Sequence, residues 1–558
     1  MTHRDKGLPR PATRESNEPE PAEPNPKNSP GRGAENRQPE AMTPLSTRVL
    51  VIGGGATGTG LARDLALRGV PSILVDQGDL NAGASGANHG LLHSGARYVA
   101  GDPESARHCY EEGQILRRLG PHCVEDTNGL FVAVEGDDER YIADFPDLCA
   151  RCGIPTGALD LAEARALEPA VSPKMIAAYE VPDATVDPFK LSLENMAHAC
   201  SLGSALLTQT RVVGFDLRDG RITGTRVVDM RSGQERSIVA DEVVNAAGAW
   251  SGQVAALAGI TLEILYSKGT LLITQRRVTQ RVVNRLRKPS NADIIVPGGT
   301  VSVLGTTSLR VDSLDDIAPT IPEVDTIVSE ASILVPALAT ARILRAYAGV
   351  RPLVQQGSAS DDRAVSRDLS LFDHRTHGVH NFVTVTGGKL TTFRQMAEKA
   401  ADVVCDHLGV TEPCRTTVEP LPESSVWTVP GRSPRVWADA ADPGDLFLCE
   451  CEMVPQSAVD RIVEGLRHAS RVPTLRDIGL RSRVGKGACQ GSFCSLRVLA
   501  HLYQQRTVDA PEGLDDLRAF LLERWKGERA ILWDTQLRQA ELQEAMHCAL
   551  LGLELERP

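Results

Sequence analysis

Four cysteines near the C-terminal end stand in two close pairs, Cys449-Glu450-Cys451 and Cys489-Gln490-Gly491-Ser492-Phe493-Cys494, with 37 residues between the pairs. A C-x-C and a C-x4-C pair supply four soft sulfur donors that two irons can share, one pair per iron, as in a [2Fe–2S] cluster. Zinc and plain buried thiols are the competing readings, although zinc sites more often use C-x2-C or C-x4-C than C-x-C. Glu450 reads as a solvated acid between two donors. Lys486 and the glycines of Val484-Gly485-Lys486-Gly487 read as backbone donors to cluster sulfurs. The remaining eight of the 12 cysteines, Cys149 and Cys152 among them, read as buried thiols of a reducing compartment.

The other end of the chain carries a different chemistry. Arg48-Val-Leu-Val-Ile52 is a short β-branched run, expected to be a buried parallel strand. Gly53-Gly-Gly55-Ala56-Thr57-Gly58 follows it as G-x-G-x-x-G, then a helical stretch, then Ser72-Ile-Leu-Val75 ending at Asp76. That is the complete strand–turn–helix–strand context of a dinucleotide site. Gly53 allows the tight turn, Gly55 the approach to a pyrophosphate, and Gly58 close helix–strand packing, while Asp76 takes ribose hydroxyls. NAD and FAD both use such a unit. Asp241-Glu-Val-Val-Asn-Ala-Ala247-Gly248-Ala-Trp250 favours FAD, as a strand entering a small-residue turn. So does Asn381-Phe-Val-Thr-Val-Thr-Gly387-Gly388-Lys389-Leu390-Thr391-Thr392, where a helix start can face the electron-rich edge of a reduced flavin. These segments lie so far from the first glycines that a substrate domain is expected to be inserted in a discontinuous flavin domain.

Between them sit candidate reacting groups. His89-Gly-Leu-Leu-His93-Ser-Gly-Ala-Arg97-Tyr98 places His93 and Arg97 four apart, one turn if the segment is helical. Arg351, before Pro352, and Arg367 add cations, and Lys389 adds another; three arginines and a lysine suit a phosphate or a carboxylate. Oxidising a secondary alcohol needs a proton acceptor and a hydride acceptor. A neutral imidazole suits the first role, with His93 the nominee and His89 the reserve.

The elements that must hold these groups follow from composition. With 558 residues, 42% apolar and 24% charged, two or three domains with sizeable cores are expected. A net charge of −12 argues against nucleic acid as a partner. Residues 1–44 are polar and proline-rich, read as a disordered tail without the apolar stretch of a secretory signal. The expected architecture is α/β. A Rossmann-like FAD-binding domain with an inserted antiparallel-sheet substrate domain occupies 47–415, its substrate sheet drawn from about 130–240 and 260–380. Then come a linker at 416–445, a small, mostly helical [2Fe–2S] domain at 446–505 and C-terminal helices over 506–558. In those helices Leu514, Leu517, Phe520 and Leu521, and Leu537, Leu542, Met546 and Leu550, recur at helical spacing and read as core stripes before docking faces.

The segments GGGATGTG, NHGLLHSGARY, VVNAAGAW, AGVRPL and GGKLTTFR, followed by CEC and RVGKGACQGSFC, resemble the large subunit of the anaerobic glycerol-3-phosphate dehydrogenases, from about Thr47 to Arg524-Trp-Lys-Gly527. The resemblance implies FAD-dependent oxidation of sn-glycerol 3-phosphate to dihydroxyacetone phosphate. Its implied partners are a membrane-associated iron–sulfur subunit, a second flavoprotein subunit, and the quinone pool as indirect acceptor. The implied location is cytoplasmic, held peripherally at the membrane by those partners. The C-terminal module resembles that of bacterioferritin-associated ferredoxin, with Cys449, Cys451, Cys489 and Cys494 as ligands. Position by position, the resemblance puts Arg97, Tyr98, Arg351 and Arg367 at the substrate and Lys389 at the flavin edge. It extends the cofactor contacts to Ala56, Thr57, Gln77, Ser85, Val213, Ala247, Gly248, Gly388, Leu390 and Thr391. The aerobic relatives' His-Gly-Gly-Leu-Arg-Tyr reads His-Ser-Gly-Ala-Arg-Tyr here, and Asp76 stands where the family often has Glu. The alternatives are an amino-acid or 2-hydroxy-acid dehydrogenase on the same fold, or a non-catalytic electron-relay subunit.

Overall fold

Side chains alternate across a strand, and the first strand shows what that does. In Leu45–Ile52, Val49 and Val51 point into one apolar layer, Leu50 and Ile52 into another, so the strand is buried on both faces. The computed structural model describes residues 44–315, 317–354, 369–423, 442–468 and 471–553. Ser72–Val75 and Glu235–Asn245 flank the first strand in parallel, with Ala205–Leu207 and Phe382–Gly387 continuing the parallel row outward. Helices Ala56–Leu67, Pro188–Ser201 and Phe393–Leu408 bring Leu61, Leu65, Leu193, Met196, Met396 and Val404 into the layer that holds Val49 and Val51. The opposite layer holds Phe215, Val243 and Phe382.

The second sheet has nine strands. Its long central pair is Ile264–Thr274 against Ile343–Val354, antiparallel, with Ser267 opposite Arg351 and Gly269 opposite Gly349. The sheet is antiparallel except where Val282–Arg285 runs parallel to Gly129–Val134. The expected span of this sheet needs correcting: Thr210–Arg218 and Arg221–Asp229, expected in the substrate sheet, extend the nucleotide sheet as an antiparallel wing on Glu235–Asn245. Hairpin strands look alike in sequence, and register with a distant neighbour decides which sheet they join. Helix Ile321–Leu334 covers the second sheet with Val324, Ile327, Ala331 and Leu334, and Thr320 with Glu323 closes its start as a capping box.

The C-terminal part is mostly helical: Gln456–His468, Leu475–Arg481, Cys494–Gln504, Ala510–Trp525 and Asp534–Glu544 follow a small hairpin of Phe447–Cys449 with Val454–Pro455. Leu517, Phe520 and Leu521 enter its core, but Leu514, Leu537 and Leu542 are exposed, so the expected core stripes are only half realised. The module is bound to the nucleotide domain through buried charge. Asp79 receives Arg481 at 2.7 Å and Arg471 at 3.3 Å, and Arg471 also meets Asp477 at 2.7 Å. Residues 416–423 of the expected linker pack on the nucleotide domain, with Leu421 buried and Glu423 paired to Lys190. Residues 424–441, the expected tail and Arg367 lie outside the described residues.

Candidate functional site

The turn after the first strand is built by glycine where nothing larger fits. Gly53 has φ +114°, and a Cβ on it would overlap the carbonyl oxygen of Ala246; a Cβ on Gly58 would overlap the carbonyl oxygen of Gly53. This lets the start of Ala56–Leu67 open onto a cavity of about 460 Å³ lined by Gly53, Gly55, Ala56 and Thr57. Ser85 accepts the Ala56 amide through its hydroxyl at 3.0 Å, tying the next loop to the helix start. Asp76 accepts the amides of Gly54 at 2.6 Å and Gly78 at 2.7 Å. Burial pushes its carboxyl above the usual range, against the pull of those two amides.

The same cavity is lined by Asp76, Gln77, Ser85, His89, His93, Arg97, Tyr98, Ala247, Gly248, Arg351, Gly388, Lys389, Leu390 and Thr391. Two expected contacts are absent from the lining. Gly58 lies behind the wall, in the helix–strand contact. Val213 falls at a bulge between Val212 and Gly214, and the strand presents Val212 in its place. The lining also includes Asn88, Trp250 and Phe393, which lie inside the quoted segments but had no role assigned, and Ser290, Thr306, Thr307 and Met396, which lie in none of them. Asp76 is the lone carboxylate among the described lining residues, against Arg97, Arg211, Arg351 and Lys389, so the cavity favours anions.

The His93–Tyr98 segment is not a helical turn. Leu91–Leu92 is a short strand, Gly95 has φ +92°, and only Ala96–Tyr98 is helical, as a 3-10 turn. Side-chain and backbone ties hold it: Thr391 Oγ1 accepts the His93 amide at 3.1 Å, and buried Asp183 accepts the Ser94 amide at 2.7 Å. The His93 ring meets Tyr98 at 5.4 Å and His89 at 5.9 Å between centroids. His89 Nδ1 accepts the Leu91 amide at 3.2 Å, so that nitrogen carries no proton in this arrangement.

The cations come from three directions. Arg97 Nη2 pairs with Asp293 at 2.9 Å and donates to the Ser290 carbonyl at 3.0 Å, while its buried Nη1 makes no hydrogen bond in the protein. Arg351 donates to the Thr307 carbonyl at 3.3 Å and to the Thr306 hydroxyl. Lys389 follows the Gly387-Gly388 turn, donates to Ser105 Oγ at 3.0 Å, and places its ammonium 4.8 Å from the Tyr98 ring centre. Gly387 and Gly388 have φ of +80° and +69°, and the helical run from Leu390 starts immediately after them, as the sequence required.

A second cavity, about 600 Å³, lies in the C-terminal module against Cys451, Cys489 and Cys494. The four sulfurs form a chain of contacts: Cys449–Cys451 at 3.8 Å, Cys451–Cys489 at 3.4 Å and Cys489–Cys494 at 3.8 Å. Among the described residues no group of three or more His, Cys, Asp or Glu is placed to hold a single metal ion. Backbone amides of Glu452, Cys489, Gly491 and Phe493 meet the sulfurs. The Lys486 amide bonds the Arg483 carbonyl at 3.1 Å instead, and its ammonium lies 3.9 Å from the Phe189 ring centre, so the expected amide role of Lys486 is not seen. Among the described residues no helix is long and apolar enough to cross a membrane.

Residues 48–394 match the family described as FAD dependent oxidoreductase. The chain is 44% identical over 536 residues to the A-subunit of the anaerobic glycerol-3-phosphate dehydrogenase of Escherichia coli (strain K12), covering 92% of this chain and 98% of that protein. It is 40% identical over 543 residues to the A1-subunit of the anaerobic glycerol-3-phosphate dehydrogenase of Haloferax volcanii, covering 91% of each. Among solved structures, the glycerol-3-phosphate dehydrogenase from Bacillus halodurans complexed with FAD shares the fold with a TM-score of 0.60 at 20% identity, covering 86% of this chain and 95% of that one. The L-proline dehydrogenase from P. horikoshii does so with a TM-score of 0.54 at 21% identity, covering 66% of this chain and 96% of that one.

Proposed function

The chain belongs to the FAD-dependent oxidoreductases and, within them, to the large subunits of the anaerobic glycerol-3-phosphate dehydrogenases, and from that premise we propose that it oxidises sn-glycerol 3-phosphate to dihydroxyacetone phosphate. The observation that carries the reading is a single cavity in which a dinucleotide-type glycine turn is continuous with three cations, Arg97, Arg351 and Lys389. The buried, unpartnered Nη1 of Arg97 fits an anionic oxygen, because a buried donor without a partner is costly.

The residues present fit FAD. The helix start at Ala56 suits a pyrophosphate, Asp76 suits ribose hydroxyls, and the helical start after Gly388 suits the ring edge that gains charge on reduction. When bound, FAD supplies the hydride acceptor. Arg97 and Arg351 take the phosphate and so fix the position of the reacting carbon. His93 receives the hydroxyl proton, held in place by its amide bond to Thr391 and by the Tyr98 ring. Lys389 offsets negative charge on the reduced ring.

The four cysteines fit a [2Fe–2S] cluster by their donor set and by the amides of Glu452, Cys489, Gly491 and Phe493 at their sulfurs. A cluster held by Cys449, Cys451, Cys489 and Cys494 would supply one-electron transfer toward two partners, one a second flavoprotein and the other a membrane-associated iron–sulfur protein, and from them to quinone. The test is an anaerobic titration of the purified chain with sn-glycerol 3-phosphate, with iron and acid-labile sulfide measured on the same sample. Bleaching of the visible flavin band at stoichiometric substrate supports the activity. A flavin left oxidised by glycerol 3-phosphate but bleached by an amino acid or a 2-hydroxy acid overturns the substrate. One left oxidised by all three points to an electron relay without catalysis.

A further inference from the structure

One strand touches both cavities. In Ile343–Val354 and the residue before it, Arg342, Leu344 and Arg345 line the cysteine cavity, and Gly349, Val350, Arg351 and Pro352 line the nucleotide cavity. Side chains two apart share a face of a strand, so Arg345, Tyr347, Gly349 and Arg351 form one row running from the first cavity to the second. From Leu344 to Gly349 the strand covers about 17 Å at roughly 3.4 Å per residue.

Tyr347 is the side chain in the middle of that row. The Arg345 guanidinium lies 5.4 Å from its ring centre. Its hydroxyl donates to the Asn88 carbonyl at 2.9 Å, and Asn88 lines the nucleotide cavity. The phenol therefore links the lining of one cavity to that of the other through two direct contacts. Burial pushes its pKa up to about 12, so it stays neutral. The C-terminal module is seated tightly on the strand at this point: a Cβ on Gly527 would overlap the Ala346 carbonyl oxygen, so only glycine lets the backbone following Arg524 and Trp525, both lining residues of the cysteine cavity, come this close.

The geometry points to Tyr347 as the bridge by which electrons cross from the flavin to the four-cysteine centre. This rests on the reading of the cysteines as a [2Fe–2S] site. The two electrons taken with the hydride from the alcohol carbon leave the flavin singly. Each reduces the oxidised cluster by one electron. The flavin's protons go to water, and a one-electron acceptor empties the cluster between the two transfers. Tyr347 gains and loses nothing in the balance; it is a positioning residue that shortens the gap the electron crosses.

The test uses the full chain with flavin and iron loaded, mixed anaerobically with sn-glycerol 3-phosphate. Stopped-flow absorbance reads flavin reduction, and rapid-freeze electron paramagnetic resonance reads arrival of the electron at the cluster. In Tyr347→Leu, flavin reduction, flavin content and iron content stay at wild-type values while cluster reduction slows by an order of magnitude. In Tyr347→Phe, which keeps the ring and loses only the link to Asn88, it slows less. Should the Leu variant lose flavin or iron, the Phe variant alone carries the test. Cluster reduction at the wild-type rate in the loaded variants overturns the bridge. A wild-type cluster that substrate never reduces overturns it too, while leaving the cluster reading standing. Wild-type protein without iron and sulfide overturns both.

Discussion

Gly269→Ala is the substitution that asks most sharply whether Arg351 holds the substrate. Gly269 lies opposite Gly349 in the central pair of strands, with Ser267 opposite Arg351. A Cβ on Gly269 would stand 2.5 Å from Arg351 Nη2, 2.8 Å from Nη1 and 2.9 Å from the carbon between them. The clash is with the far end of a flexible side chain, so the guanidinium gives way and the strand does not. Alanine removes nothing else, because Gly269 has an ordinary strand backbone. Displacing the guanidinium forfeits a charge-assisted hydrogen bond to the bound anion, about 1.5–3 kcal/mol. At about 1.4 kcal/mol per tenfold, the apparent Kd for sn-glycerol 3-phosphate rises by roughly 10- to 150-fold. Flavin reduction at saturating substrate changes far less. The assay is stopped-flow flavin bleaching across a substrate series for wild type, Gly269→Ala, Arg351→Ala and the double variant. If both single changes act through one guanidinium, the double variant binds no worse than Arg351→Ala. Additive losses, or a Gly269→Ala Kd equal to that of wild type, refute the assignment of Arg351 to the phosphate.

His93→Gln should slow flavin reduction much more than it weakens substrate binding; equal reduction rates at saturation would remove His93 as proton acceptor. Gly58→Ala forces the helix away from the Gly53 carbonyl, and purified protein should carry little flavin per chain, with addition of FAD failing to restore it; full flavin content would mean that the turn absorbs the methyl group. Buried His374 has its pKa lowered from 6.5 to about 4 by burial first and by His377 second. The folded state therefore resists protonation that the unfolded chain accepts, and stability is lost as pH falls from about 6.5 to 4, by about 3 kcal/mol at about 1.4 kcal/mol per unit. In His374→Asn, denaturant midpoints at pH 7.5 and pH 5 should lie closer together than in wild type, and an unchanged gap would contradict the linkage.

The nucleotide turn was legible because its chemistry is local. Gly53, Gly55, Gly58 and Asp76 lie within one strand–helix–strand unit, and the steric demands of that unit can be read off neighbouring residues. The Gly387-Gly388 turn was legible for the same reason. What was not legible depends on partners far away in the chain. The Arg97 side chain is oriented by Asp293, 196 residues on, so its sequence neighbourhood says it is a cation but not that one nitrogen is left for a ligand. Thr306 and Thr307 have no motif and enter the cavity only because the second sheet brings their loop there. The assignment of 210–229 failed because alternation marks a strand without naming its neighbour. Leu537 and Leu542 failed because helical spacing marks an apolar face without saying what covers it.

The charges between the C-terminal module and the nucleotide domain bear on how the two centres work together. Asp79 is buried among Arg481, Arg471 and Asp477. Burial opposes its charge, yet Arg481 and Arg471 outweigh burial and hold its carboxyl well below the ordinary range. Such an arrangement returns little net stability, because desolvating the charges consumes most of their attraction; what it does supply is one orientation. Asp79 is three residues beyond Asp76, on the turn that follows Ser72–Val75, so the module is locked to the turn that carries Asp76. On the other side, Glu452, next to Cys451, accepts from Arg483 and from Thr300 Oγ1, each at 2.5 Å, and Thr300 belongs to a hairpin turn of the second sheet. The cysteine loops are thus pinned to both sheets at once, with the Ile343–Val354 strand between the cavities. A module on a flexible tether would vary its distance from the flavin. This one cannot do so without breaking buried ion pairs, so the fold itself fixes the separation of the cysteine loops from the nucleotide cavity.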